Sequence, residues 1–138
     1  MAQALILDSE AINALAAPAT RGVLALRARA IARVAHERGV LIRVPAAVLA
    51  EVCKGPRFDA AINHLLNREA ILVADITRQI AQRAGALLAK ASMSSANAVD
   101  AFVVATALEF DSAVIATGDA KDLKRLSAPY NQLALMTL

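Results

Sequence analysis

Short apolar runs alternate with longer stretches of helical periodicity along the whole chain. Ala4–Leu7 is the first such run; it ends in Asp8-Ser9 and has the shape of a buried parallel strand. Asp8 or Ser9 can cap the helix expected over Glu10–Ala16, which stops near Pro18. Thr20 opens a long helix to about Arg38, with Val23, Leu24, Leu26, Ile31 and Val34 expected on its inner side and Gly39 ending it. Val40–Val44 reads as the second strand. Pro45 falls in the first turn of the next helix, which carries Val48, Leu49, Glu51 and Val52 and ends at Lys54-Gly55-Pro56. Further on come a helix over Phe58–Leu66, a strand over Ile71–Ala74 and a helix over Thr77–Ala91. Ser94–Asn97 caps an apolar helix, Ala98–Phe110; then follow a strand at Ala113–Thr117, a helical turn at Asp119–Leu126 and a strand at Leu133–Met136. This alternation predicts an α/β fold, a three-layer α/β/α sandwich with a central parallel β-sheet.

Composition narrows the reading. The 138 residues suit one domain over 1–138, and no repeat, linker or low-complexity run divides them. Hydrophobic residues make up 58% and aromatic ones only 3%, which favours a helix-rich α/β core over an all-β one. The lone Cys53 reads as a small buried hydrophobe and implies a reducing, cytoplasmic setting. Met1-Ala2-Gln3 lacks the basic start of a signal peptide, and no apolar run approaches the ~20 residues of a membrane span. His36 and His64 stand apart, with no zinc-ligand spacing around them.

Four acids stand out by position. In open parallel sheets, sites form outside the carboxyl ends of the strands. Asp8 follows the first strand directly, and Asp119 lies two residues past the fourth, behind Gly118. Asp8 serves equally as a helix cap. Glu51 sits among apolar neighbours in Ala46–Val52; the competing reading is a solvent-facing residue on an amphipathic helix. Asp100 shares a helix face with Val103, Val104 and Ala107, although with Asn97 as N-cap it could join a capping box. Asp122 can flank the same place, or cap and pair with Lys121 or Arg125. Packed carboxylates persist when protonated or neutralised by cations, and hard oxygen ligands suit Mg²⁺ or Mn²⁺. If four acids face one metal, the rest of the chain carries fifteen cations against eight acids, a balance of +7. Eleven of those cations are Arg, which favours phosphate contact.

Leu7-Asp8-Ser9, Val48-Leu49-Ala50-Glu51-Val52, Asp100–Ala107 and Thr117-Gly118-Asp119 resemble, in that order, the motifs of PIN-domain nucleases. In length, and in the absence of extra domains, the chain resembles the VapC-type toxins of toxin–antitoxin systems. The resemblance implies a metal-dependent endoribonuclease that hydrolyses RNA, with Asp8, Glu51, Asp100 and Asp119 as metal-binding and catalytic acids. Ser9 and Thr117 match positions that orient those acids by hydrogen bonds, with Asp122 in support. It further implies Mg²⁺ or Mn²⁺ as cofactor, a homodimer and a cognate antitoxin. Gly118 departs from the pattern, since Arg often stands there in relatives. Arg21, Arg27, Arg29 and Arg33 are candidate contacts to the RNA backbone. The alternative is a catalytically inactive module of the same fold that binds RNA or a protein partner.

Overall fold

The computed structural model describes residues 3–17, 22–68 and 70–138, without the side chain of Arg68. Five strands, β1 (Gln3–Leu7), β2 (Leu41–Pro45), β3 (Ile71–Ala74), β4 (Ser112–Thr117) and β5 (Leu133–Thr137), form one sheet in the order β3-β2-β1-β4-β5. Every pairing is parallel. The four residues of β1 after Gln3 are all buried, as are Val44 of β2 and Ile115 of β4. A parallel sheet covered on both faces requires just such continuous apolar strands.

Seven α-helices are present among the described residues. They are α1 (Ser9–Ala16), α2 (Val23–Glu37), α3 (Ala46–Val52), α4 (Pro56–Arg68), α5 (Arg78–Lys90), α6 (Ala98–Ala107) and α7 (Lys121–Ser127). Helix α1 packs on α2 and on α4, and all three rest against the sheet, while α6 lies across β1, β2 and β4 with α5 and α7 stacked on it. The result is the expected α/β/α sandwich. Helix α6 is apolar nearly all round because it lies between the sheet and two other helices; Ala101 and Val103–Ala107 are all buried. It ends at Ala107, three residues short of the Phe110 expected from sequence, in a turn capped by Leu108.

The inner face of α2 differs from expectation. Val23, Leu26 and Val34 are 61%, 65% and 42% exposed, Leu24 and Ile31 are half-buried, and the buried side chains are Ala25, Ala28 and Ala35. The small residues let the helix approach α1 and β2 closely, which turns the larger side chains outward. Thr20 and Pro18, expected to mark helix ends, lie outside the described residues, and α2 starts at Val23 after Gly22. At its far end Gly39 takes φ 71°, the left-handed conformation that stops a helix. The Gly39 and Val40 N–H groups then donate to His36 and Ala35. Pro45 closes β2 and precedes α3 as its N-cap, where its missing N–H costs nothing. Cys53 is half-buried rather than fully enclosed.

No described helix is long and apolar enough to cross a membrane. The packing contrast is measurable. Ile6→Ala, in the middle of the sheet, is expected to cost about 2–5 kcal/mol. Leu26→Ala on the exposed side of α2 should stay within about 0.5 kcal/mol, by urea unfolding of both variants.

Candidate active site

The chain runs outward from β1 through β2 to β3, then returns to the other side of β1 as β4. This reversal leaves a crevice at the carboxyl ends of β1 and β4, where open α/β sheets hold their ligands. The ladder extends one residue beyond β1, because the Asp8 N–H donates to the Ala116 carbonyl at 3.2 Å. Asp8 is thereby fixed beside the turn that carries Gly118 and Asp119.

A pocket of about 250 Å³ opens at this point. Asp8, Glu51, Asp100 and Asp119, the four acids singled out in the sequence, all line it, and so do Ser9 and Asp122. A sixth carboxylate, Glu10, lines it as well and was not foreseen. Its position in the first turn of α1 already had a sufficient explanation in the helix dipole. The only cue was its place two residues after Asp8.

Local hydrogen bonds hold these groups. Asp8 is the N-cap of α1, its Oδ1 accepting the Ala11 N–H at 3.0 Å, so Ser9 does not cap the helix. The Ser9 hydroxyl instead donates to Oε1 of Glu51, 42 residues away. Glu51 is exposed at the pocket rim, while Val48 and Val52 of the same helix are buried. Thr117 is completely buried, and its hydroxyl accepts the Asp119 N–H at 3.0 Å. That hydroxyl also stands 3.0 Å from the Asp119 carbonyl and within reach of the Asp8 carboxylate. With one proton it donates to one of them at a time. Asp119 Oδ1 accepts the Lys121 N–H at 3.1 Å, fixing the start of α7.

The capping box considered for Asp100 is not formed. Asn97 makes no side-chain cap and directs its Nδ2 to Asp122 Oδ2 at 3.0 Å. The Asp100 carboxyl is free to face the pocket. Burial and then the charges of Asp122, Glu51, Asp8 and Asp119 push its pKa up to about 6. Burial also raises Asp8, opposed by hydrogen bonds from Thr117 and from backbone N–H groups. Asp122 thus contributes directly to the field on Asp100, more than its sequence position suggested.

Gly118 has a steric role. A Cβ there would meet Glu10 Cγ at 2.3 Å and Glu10 Cβ at 2.7 Å, closer than atoms can stand. This chain uses the space over residue 118 for the Glu10 side chain.

These observations describe an acidic pocket at the topological switch point of a five-stranded parallel sheet. A family model described as PIN domain matches residues 5–129. The chain belongs to the PIN domain family. No curated protein matches it. PIN domains are generally metal-dependent nucleases, acting on RNA or other nucleic acid with divalent ions. The donor set of this PIN domain fits such an ion: six hard carboxylate groups share one pocket, and burial together with their mutual repulsion raises the proton affinity of Asp100. Among the described residues no three Asp, Glu, His or Cys side chains converge tightly enough to hold an ion as they stand. Ligation would take rotation of these partly exposed carboxylates. Half of the chain's twelve acids face the pocket, so the rest of the molecule sets fifteen cations against six acids. Arg29 and Arg33 nevertheless line a different cavity, and Arg21 lies outside the described residues.

Two outcomes follow from this geometry. The unfolded Asp100 titrates near 3.8 and the folded one near 6, so the folded state binds the proton more tightly. Stability from this group is present below the lower value and lost as pH rises through the higher one. In EDTA, Asp100→Asn is expected to raise Tm by about 2–4 °C near pH 7.5, after allowance for solvent screening, and to leave it nearly unchanged near pH 4. Scanning calorimetry at both pH values checks the sign. Gly118→Ala should cost about 1–3 kcal/mol through its collision with Glu10. In a Glu10→Gly background most of that cost should vanish, which a double-mutant cycle measures.

Proposed function

We propose that this PIN domain, read as a single nuclease domain over 1–138, is an endoribonuclease that uses Mg²⁺ or Mn²⁺ to hydrolyse RNA phosphodiester bonds. The observation that carries the reading is the convergence of Asp8, Glu51, Asp100 and Asp119 on one pocket at the sheet's switch point, with the pKa of Asp100 raised to about 6 by burial and by its neighbours. These four acids would hold the ion. When bound, a divalent ion lowers the pKa of a water and offsets the negative charge of the phosphate.

The chain's own groups orient this chemistry. The Ser9 hydroxyl restrains Glu51, the Thr117 hydroxyl restrains the Asp119 turn, and the Asp8 cap ties its carboxylate to α1. Asn97 restrains Asp122, which faces the same pocket as a supporting acid. A carboxylate of this set not fully used in holding the ion is placed to take up a proton. Only 3% of the chain is aromatic, so charge and RNA shape would guide binding more than base stacking.

By its resemblance to VapC-type toxins, we read the biological setting as cytoplasmic, the assembly as a homodimer and the regulator as a cognate antitoxin. An adjacent gene for a small DNA-binding protein, and a dimer mass by light scattering, are the expected supporting results.

Mutation tests the chemistry. Asp8→Asn and Asp100→Asn should each abolish metal-dependent cleavage of RNA while the far-UV circular dichroism stays that of the wild type. Full activity of either variant, or equal cleavage in excess EDTA, would overturn the reading. Millimolar Mg²⁺ or Mn²⁺ is also expected to raise Tm in the wild type and to do so less in Asp8→Asn, because the ion binds the folded state preferentially.

A further inference from the structure

A second and larger cavity, of about 930 Å³, lies on the α1–α2–α4 side of the sheet. Its position is set by Ile42 and Ile71, at the starts of β2 and β3, and by Leu15 near the end of α1. It therefore sits toward the amino ends of these strands, away from the carboxylates. The eight residues of α1 separate the two pockets by about 12 Å.

The lining divides into two chemistries. Arg29, Arg33 and His36 come from α2, where spacings of four and three residues place them in one stripe. His64 of α4 supplies a further ring nitrogen. All four side chains are exposed to the cavity and the solvent beyond it, and none makes a hydrogen bond or ion pair with another described residue. No acidic side chain is among the described residues that line the cavity. The remaining walls, Leu15, Ile42 and Ile71 among them, are apolar.

We propose that this cavity binds a nucleotide, its phosphate held by Arg29 and Arg33 with His36 and His64 beside it, and its base laid against the apolar wall. Guanidinium groups match phosphate oxygens in paired hydrogen bonds. An anion without an apolar part would leave the half-buried Leu15, Ala16 and Ala32 facing water, and an uncharged ligand would leave the two guanidinium groups unmatched. The volume falls in the range of small-molecule sites, about 300–1,000 Å³. A free nucleotide and one nucleotide of an RNA strand present the same chemistry here. The site is independent of the acidic pocket and does not rest on catalysis there.

The two histidines are the only ones in the chain, so their imidazole proton resonances report on this cavity alone. The full-length chain, held in EDTA, is titrated with 5′-AMP, with inorganic phosphate and with a short single-stranded oligoribonucleotide lacking terminal phosphate. Binding is read by calorimetry and by the imidazole resonances. The expected result is saturable 5′-AMP binding that shifts both histidines and exceeds the affinity for inorganic phosphate. The double variant Arg29→Gln/Arg33→Gln should weaken it at least about tenfold. Asp8→Asn, in the other pocket, should leave it unchanged. Saturable binding of the oligoribonucleotide with the same arginine dependence assigns the site to an RNA strand, and 5′-AMP binding alone assigns it to a free nucleotide. The proposal is overturned if neither 5′-AMP nor the oligoribonucleotide moves the histidine resonances. It is also overturned if the double variant, with Tm unchanged, binds like the wild type, or if phosphate alone binds as tightly as 5′-AMP.

Discussion

Mutual repulsion among carboxylates is the force that this fold has to contain. Glu10, Glu51, Asp100, Asp119 and Asp122 are gathered around Asp8 at one end of the sheet, and each added charge makes the next more costly. At Asp100, burial and then the neighbouring charges express that cost as a raised proton affinity. What holds the group together lies beneath it: the fully buried ends of β1 and β4, locked by the Asp8–Ala116 and Thr117–Leu138 main-chain bonds. Side chains that would separate in solution are kept close because the backbone under them cannot yield without opening the core. The backbone thus sets where these charges gather, while their side chains keep the freedom to turn.

The opposite surface is governed by a different economy of space. Alanine at 25, 28 and 35 draws α2 close to its neighbours, and this leaves a recess on each side of the helix. One recess is edged by Arg29 and Arg33 and the other by Ile31 and Val34, so a single helix faces two different chemistries. Larger residues on the buried side would lift the helix and merge or fill those recesses. The shape of this surface therefore depends on side chains that are hardly present.

The five strands were legible because each is a short, mainly apolar run, broken within only by Arg43 of β2, and the alternation with helices identified a parallel sheet. Strand order was not, since nothing local in Ile71–Ala74 or Leu133–Thr137 says which neighbour it joins. Helix α2 misled because Leu-Ala-Leu-Arg-Ala-Arg-Ala offers two stripes; periodicity favours the large residues, and close packing chose the alanines. At the site, Asp8 and Asp119 could be placed from strand ends alone. Glu51 could not, because its link to Ser9 spans 42 residues, and Asp122 joins the group through Asn97, 25 residues away. Glu10 escaped notice because an acid in a first helical turn already has a local explanation.

The near-contact of Gly118 with Glu10 also constrains how this sequence can change over time. Position 118 can accept a side chain only once position 10 has retreated or the turn has shifted, so the order of substitutions matters. A lineage that acquired a long cation at 118 first would pass through a strained intermediate, whereas one that shortened residue 10 first would not. Two sites 108 residues apart in the chain therefore behave as one heritable unit, and the charge of the pocket rim is inherited with them.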